Sequence, residues 1–154
     1  MIVSQQKPLE ELLNSLKEYN KIFLVGCGEC AATCKSGGEP ELLKMKADLA
    51  GRSKIITGFC LPSAPCVAAQ IKTELAKNIK ALRDSEAVLV LACGLGVQSV
   101  KENNRFGQVI LPANNTIFGA VMDAQGNFYE KCSVCAECIL GKNAGISPAT
   151  LVPD

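Results

Sequence analysis

The sequence predicts an α/β fold: a small three-layer sandwich with a mostly parallel four-stranded sheet, followed by a Cys-rich C-terminal loop appendage. Two observations lead there. Four short apolar runs, Ile22 to Val25, Ile55 to Phe59, Ala87 to Ala92 and Val109 to Leu111, have the length and composition of strands buried on both faces. Between them lie stretches whose apolar residues recur at helical spacing, and strand–helix–strand alternation implies right-handed crossovers and a parallel sheet.

The elements follow in order. Pro8 to Tyr19 places Leu9, Leu12, Leu13 and Leu16 on one stripe, with Pro8 suited to a first helical turn. After Glu39 and Pro40, Leu42, Met45 and Leu49 form a second stripe. Val67, Ile71, Leu75, Ile79 and Leu82 predict one longer helix, and Val97 with Val100 a short one. After Pro112 the texture changes to Asn114, Asn115, Gly119, Gly126 and Asn127, then a cysteine cluster and a Gly/Pro tail. The expected division is residues 1–113 as the α/β domain and residues 114–154 as an irregular Cys-rich appendage packed on it.

Composition excludes several functions. With 16 basic and 15 acidic side chains and no basic run, the chain lacks the electrostatic footprint of a nucleic-acid or anionic-membrane partner. The longest apolar stretch, Ala87 to Cys93, is far short of the roughly 20 residues that span a bilayer, and Met1 to Pro8 lacks a signal-peptide apolar segment. A cytoplasmic location without membrane insertion is the expectation. No histidine is present, so imidazole acid–base chemistry and His-containing zinc centres are excluded. Nine cysteines in a reducing compartment point to metal or redox chemistry rather than structural disulfides.

The cysteines fall in two groups. Cys27, Cys30 and Cys34 follow the first predicted parallel strand, Cys60 and Cys66 the second, and Cys93 ends the third. The carboxyl ends of parallel strands share one edge, where ligands bind at a switch in strand order, so these six converge. Four thiolates suit a four-iron four-sulfur cluster or zinc; the Cys27-x2-Cys30-x3-Cys34 loop is long enough to wrap a cube and favours the cluster. Six candidates for four positions leave two bystanders, with Cys60 the first to set aside. The second group, Cys132-x2-Cys135-x2-Cys138, is a ferredoxin-like run of three with no further Cys downstream.

Three functions remain open from the residues. The first is an electron-relay module that performs no bond chemistry itself. The second is a structural or adaptor subunit holding zinc, with the second run clamping a partner. The third is a dithiol oxidoreductase using Cys27 and Cys30, which Cys34 and the other thiols on the same edge disfavour. The Gly94-Leu95-Gly96 turn lacks the third glycine of a dinucleotide loop.

Gly26-Cys27-Gly28-Glu29-Cys30, Cys34, Gly37-Gly38-Glu39, Ala87 to Gly94, Gly96-Val97-Gln98, Pro112 to Gly119 and Gly126-Asn127-Phe128 before the Cys run resemble the methylenetetrahydrofolate reductase C-terminal-domain family, over roughly Lys7 to Pro148. That family supplies the small iron-sulfur or zinc subunit that accompanies the flavin-bearing reductase of acetogens and related anaerobes. The resemblance implies a non-catalytic electron-transfer or accessory subunit in one-carbon metabolism, the reductive acetyl-CoA (Wood-Ljungdahl) pathway. It would be bound to the flavoprotein that reduces methylenetetrahydrofolate, with ferredoxin or another redox donor. It implies Cys27, Cys30, Cys34, Cys66 and Cys93 as cluster ligands and Cys132, Cys135 and Cys138 as the second metal site, with flavin only in the partner subunit. The family continues with Gly-Ile-Cys-Pro and one more Cys; here the matching positions are Gly145-Ile146-Ser147-Pro148 and Leu151. The second centre therefore lacks the family's remaining thiolates.

Overall fold

The structure is a computed structural model and describes residues 1–132; Cys135, Cys138, Ser147 and Leu151 lie outside them. Four strands, β2 (Lys21–Val25), β3 (Ile55–Cys60), β4 (Ala87–Val90) and β5 (Val109–Pro112), form an all-parallel sheet in the order β3-β2-β4-β5. Alternation along the strands sends one set of side chains to each face. Phe23, Val25, Val88 and Val90 pack against Ile71, Leu75, Leu82 and Val100. Ile22, Leu24, Ala87 and Leu89 pack against Leu12, Leu16, Leu42 and Leu49. The first set lies under α4 (Ala68–Lys77), α5 (Ile79–Asp84) and α6 (Gly94–Asn103), the second under α1 (Leu9–Ser15) and α3 (Glu39–Ala50). This is the three-layer α/β sandwich that the apolar runs predict.

The chain leaves β2 toward β3 on one side and returns to place β4 on the other side of β2. The order of strands therefore reverses between β2 and β4, which opens a crevice beyond their carboxyl ends.

Two local differences from the expected elements stand out. The long stripe from Val67 to Leu82 is two helices, because Asn78 leaves helical geometry (φ −104°, ψ 20°). There its side-chain Nδ2 donates to the Glu74 carbonyl at 2.9 Å. A short helix, α2 (Cys30–Thr33), lies inside the first cysteine loop.

Residues 114–132 are not irregular. They form β6 (Asn114–Met122) and β7 (Phe128–Cys132), which join β1 (Ile2–Gln6) in an antiparallel sheet of order β1-β6-β7. The two sheets are fastened together at Ala113, whose N–H donates to the Val90 carbonyl of β4 at 2.9 Å while its carbonyl accepts the Lys7 N–H at 2.8 Å. A buried polar contact adds to this: the Ser4 and Ser36 hydroxyls lie 2.9 Å apart, with Asn114 Nδ2 donating to Ser36 Oγ at 3.4 Å.

Candidate metal centre

The β2–α2 loop begins where the sheet ends. Gly26 N–H donates to the Cys60 carbonyl, prolonging the β2–β3 pairing by one residue, and Cys27 then turns away from the sheet. Two contacts bind this loop to the segment carrying Cys66: Gly28 N–H donates to the Pro62 carbonyl at 2.9 Å, and the Cys27 thiol lies 3.8 Å from the Ser63 carbonyl. The same segment reaches the start of α6 because residue 96 is glycine. A Cβ there would stand 2.8 Å from the Ala92 Cβ and 3.2 Å from Pro65 Cγ, so any side chain would push the Cys66 segment away from Cys93.

Four of the thiols are near enough for the charge on one to act on another. Burial pushes the Cys27 thiol above its ordinary value; N–H groups of Ala31 and Glu29 pull it back, and the charges that Cys30 and Cys93 would carry push it up again. Burial also raises the Cys66 thiol, and the like charges of Cys93, Cys27 and Cys30 add to that. Cys27, Cys30, Cys66 and Cys93 are thus within each other's fields at the mouth of the crevice. Their loops come from β2, β3 and β4, and Cys27 and Cys93 are buried while Cys66 is exposed.

The other two candidates from the first group look elsewhere. Cys60, the last residue of β3, is sealed in the core beneath α4, where burial and then the Glu74 charge push its thiol up to about 12. Cys34 caps the end of α2 and directs its thiol to the Ile2 carbonyl at 3.9 Å, toward β1. Cys132 ends β7 in an exposed position, and Cys135 and Cys138 are outside the described residues.

The donor set is all sulfur, and backbone N–H groups accompany it. Besides those of Ala31 and Glu29, the first turn of α6 begins at Cys93, so the positive end of a ten-residue helix meets the crevice. This environment suits a negatively charged, thiolate-bound group. Among the described residues, no three His, Cys, Asp or Glu side chains are gathered tightly enough to grip one metal ion.

Residues 111–154 match the family model described as methylene-tetrahydrofolate reductase C terminal. This is the family the sequence resembles. The matched segment starts inside β5 and takes in β6, β7 and the second cysteine run, while Cys27, Cys30, Cys66 and Cys93 precede it. No curated protein matches the chain. No described helix is long and apolar enough to cross a membrane.

Thr116 is a site-supporting residue that the sequence does not announce. Its Oγ1 accepts the Gly94 N–H at 2.9 Å, so β6 holds the start of α6 and thereby Cys93. Nothing in the pattern Asn114-Asn115-Thr116 signals this, because the contact exists only once the second sheet has formed.

Proposed function

We propose that this chain is an iron-sulfur accessory subunit of a methylenetetrahydrofolate reductase-type flavoprotein complex, and that it relays electrons without carrying out bond chemistry. The observation that carries this reading is the convergence of Cys27, Cys30, Cys66 and Cys93 at the strand-order reversal. A four-iron four-sulfur cluster bound there would supply one-electron chemistry at a potential set by burial and hydrogen bonding.

The chain's own residues would do the rest. The four thiols would hold the cluster as thiolates, with the Ala31 and Glu29 N–H groups offsetting its charge. Gly96 and Pro65 would keep the Cys66 segment against α6, and Thr116 would keep Cys93 in place. Exposed Cys66 would mark the side from which a redox partner approaches.

The Cys27-x2-Cys30-x3-Cys34 loop, long enough to wrap a cube, favours the cluster over zinc at this edge. The dithiol reading loses support because burial raises the Cys27 thiol, whereas reactive dithiols have a lowered one.

The test is anaerobic reconstitution with iron and sulfide counts. Wild-type protein is expected to bind about four of each. Cys30→Ala and Cys93→Ala are expected to lose most of that iron, and Cys34→Ala and Cys60→Ala to keep it. Unchanged iron in both Cys30→Ala and Cys93→Ala, or a colourless protein holding only zinc, would overturn the proposal.

A further inference from the structure

Cys66 is the exposed member of the four thiols at the crevice, so packing fixes it less than it fixes buried Cys27 and Cys93. Its position comes from the backbone that carries it. Ala64, Pro65, Cys66 and Val67 form a tight turn, closed by the Val67 N–H donating to the Ala64 carbonyl at 2.9 Å. Pro65 takes the second position, where its fixed φ favours a turn, and Cys66 the third. The same turn delivers the chain into α4, which begins at Ala68.

One side chain of α4 reaches back to hold this turn. Gln70 stands three residues after Val67, the residue that caps the helix, and a glutamine there ordinarily returns to the cap's own N–H. That N–H is already given to the Ala64 carbonyl, and Val67 has no side-chain oxygen with which to cap. Gln70 Oε1 instead accepts the Ala64 N–H at 2.8 Å, at the other end of the turn. Ala64 is buried, 6% exposed, so an apolar residue at position 70 would leave its N–H short of both water and a partner. Neighbouring polar side chains are engaged elsewhere: the Thr73 hydroxyl donates to the Ala69 carbonyl at 2.9 Å, and the Glu74 carboxylate accepts from Lys77 Nζ at 2.7 Å. Ala64 is therefore tied through both its backbone groups, the carbonyl to the far end of the turn and the N–H to the helix.

We propose that Gln70 is the positioning residue for Cys66. Through the Ala64 N–H it holds the turn in the conformation that presents this thiol to the crevice, without touching the bound group itself. The turn is then held from two sides, by Gln70 of α4 and by the close approach of Pro65 to Gly96 of α6. The purpose of the role rests on the sheet-edge reading above; its geometry does not.

The experiment compares Gln70→Leu, which keeps the bulk and removes the acceptor, with Gln70→Glu, which keeps the acceptor. In the metal-free full chain, amide hydrogen exchange followed by NMR is expected to rise at least about tenfold at both Ala64 and Val67 in Gln70→Leu, and to stay at the wild-type rate in Gln70→Glu. Leu24 and Leu89, in the core, serve as unchanged controls. This arm needs no iron, so its outcome is separate from that of the iron analysis. Faster exchange at Ala64 alone would overturn the proposal, because the turn would then keep its shape without Gln70; so would wild-type rates at both positions in Gln70→Leu. In reconstituted protein, iron release to excess chelator is expected to be at least about threefold faster in Gln70→Leu and restored in Gln70→Glu. The acceleration is expected to vanish in a Cys66→Ser background, since a residue acting through Cys66 has nothing left there to act on. An equal acceleration in that background would also overturn the proposal, as the mark of a general loss of stability. If wild-type protein takes up no cluster, the sheet-edge reading falls and the exchange arm alone decides the role of Gln70.

Discussion

Cys60 and Cys66 flank one loop yet meet different physical conditions. Cys60 closes β3 beneath α4, and removal from water holds its thiol protonated up to about 12. Cys66 lies at the exposed rim of the crevice. In metal-free protein at neutral pH, a maleimide is expected to label Cys66 readily and Cys60 only on unfolding, as mass spectrometry of timed aliquots would record. The titration has a definite sign. Because the folded state holds the Cys60 proton more tightly than the unfolded chain, its stabilising contribution is complete below the ordinary value of 9.0 and is lost as pH rises through about 12. Thermal melts should therefore show the wild type losing ground to Cys60→Ala above about pH 9. At this scale the sequence was informative about position and silent about direction. Each of the six cysteines of the first group could be assigned to a strand end from the apolar run before it. That Cys34 turns to the Ile2 carbonyl instead of to Cys30 depends on β1, a strand that the residues Ile2-Val3-Ser4-Gln5-Gln6 barely announce.

Elements pack here by backbone contact as much as by side chains. Gly37 follows the first cysteine loop, and a Cβ on it would fall 1.9 Å from the Leu91 carbonyl oxygen, an overlap that only backbone movement can relieve. Gly37 N–H also donates to the Ala31 carbonyl, and its own carbonyl accepts from Cys27 N–H at 2.9 Å. Gly37→Ala is expected to cost about 3 kcal/mol, the upper end for overpacking, and to lower iron incorporation because the displaced loop carries Cys27. Denaturant unfolding with parallel iron counts checks both. The central strands β2 and β4 were legible because burial on both faces forces continuous apolar runs, and the edge strands β3 and β5 because their apolar runs recur at crossover spacing. Strand β6 begins Asn114-Asn115-Thr116 and relies on pairing with distant β1, so its local sequence reads as loop. The division between α4 and α5 was invisible for the opposite reason, since the stripe Ile71, Leu75, Ile79, Leu82 continues unbroken through it.

On the scale of the whole molecule, distant parts are held in register by a few polar groups. The Glu86 carboxylate, at the entry to β4, accepts N–H bonds from Asn20 (2.5 Å) and Lys21 (3.2 Å) at the entry to β2. The Asn20 N–H, then that of Lys21, hold it below the ordinary glutamate value of 4.5. A depressed carboxylate stabilises the fold above its unfolded value, and that contribution disappears as pH falls through the folded one. Glu86→Gln is expected to melt below the wild type at pH 7, with the gap closing under about pH 4, in paired thermal scans.

The pairing of β1 with β6 has a temporal meaning as well. Ile2 lies against Gly119, and the Met1 amino group donates to the Ala120 carbonyl, so β1 must wait for β6, more than a hundred residues later in the chain. During synthesis the four parallel strands can assemble while β1 is still without its partner, and the clamp of Thr116 on Gly94 forms only after β6 emerges. Cys27, Cys30 and Cys66 thus leave the ribosome long before the element that steadies Cys93. A cluster bound in the crevice, as proposed, would be fully steadied only after β6 has paired with β1 and the two sheets have closed on each other.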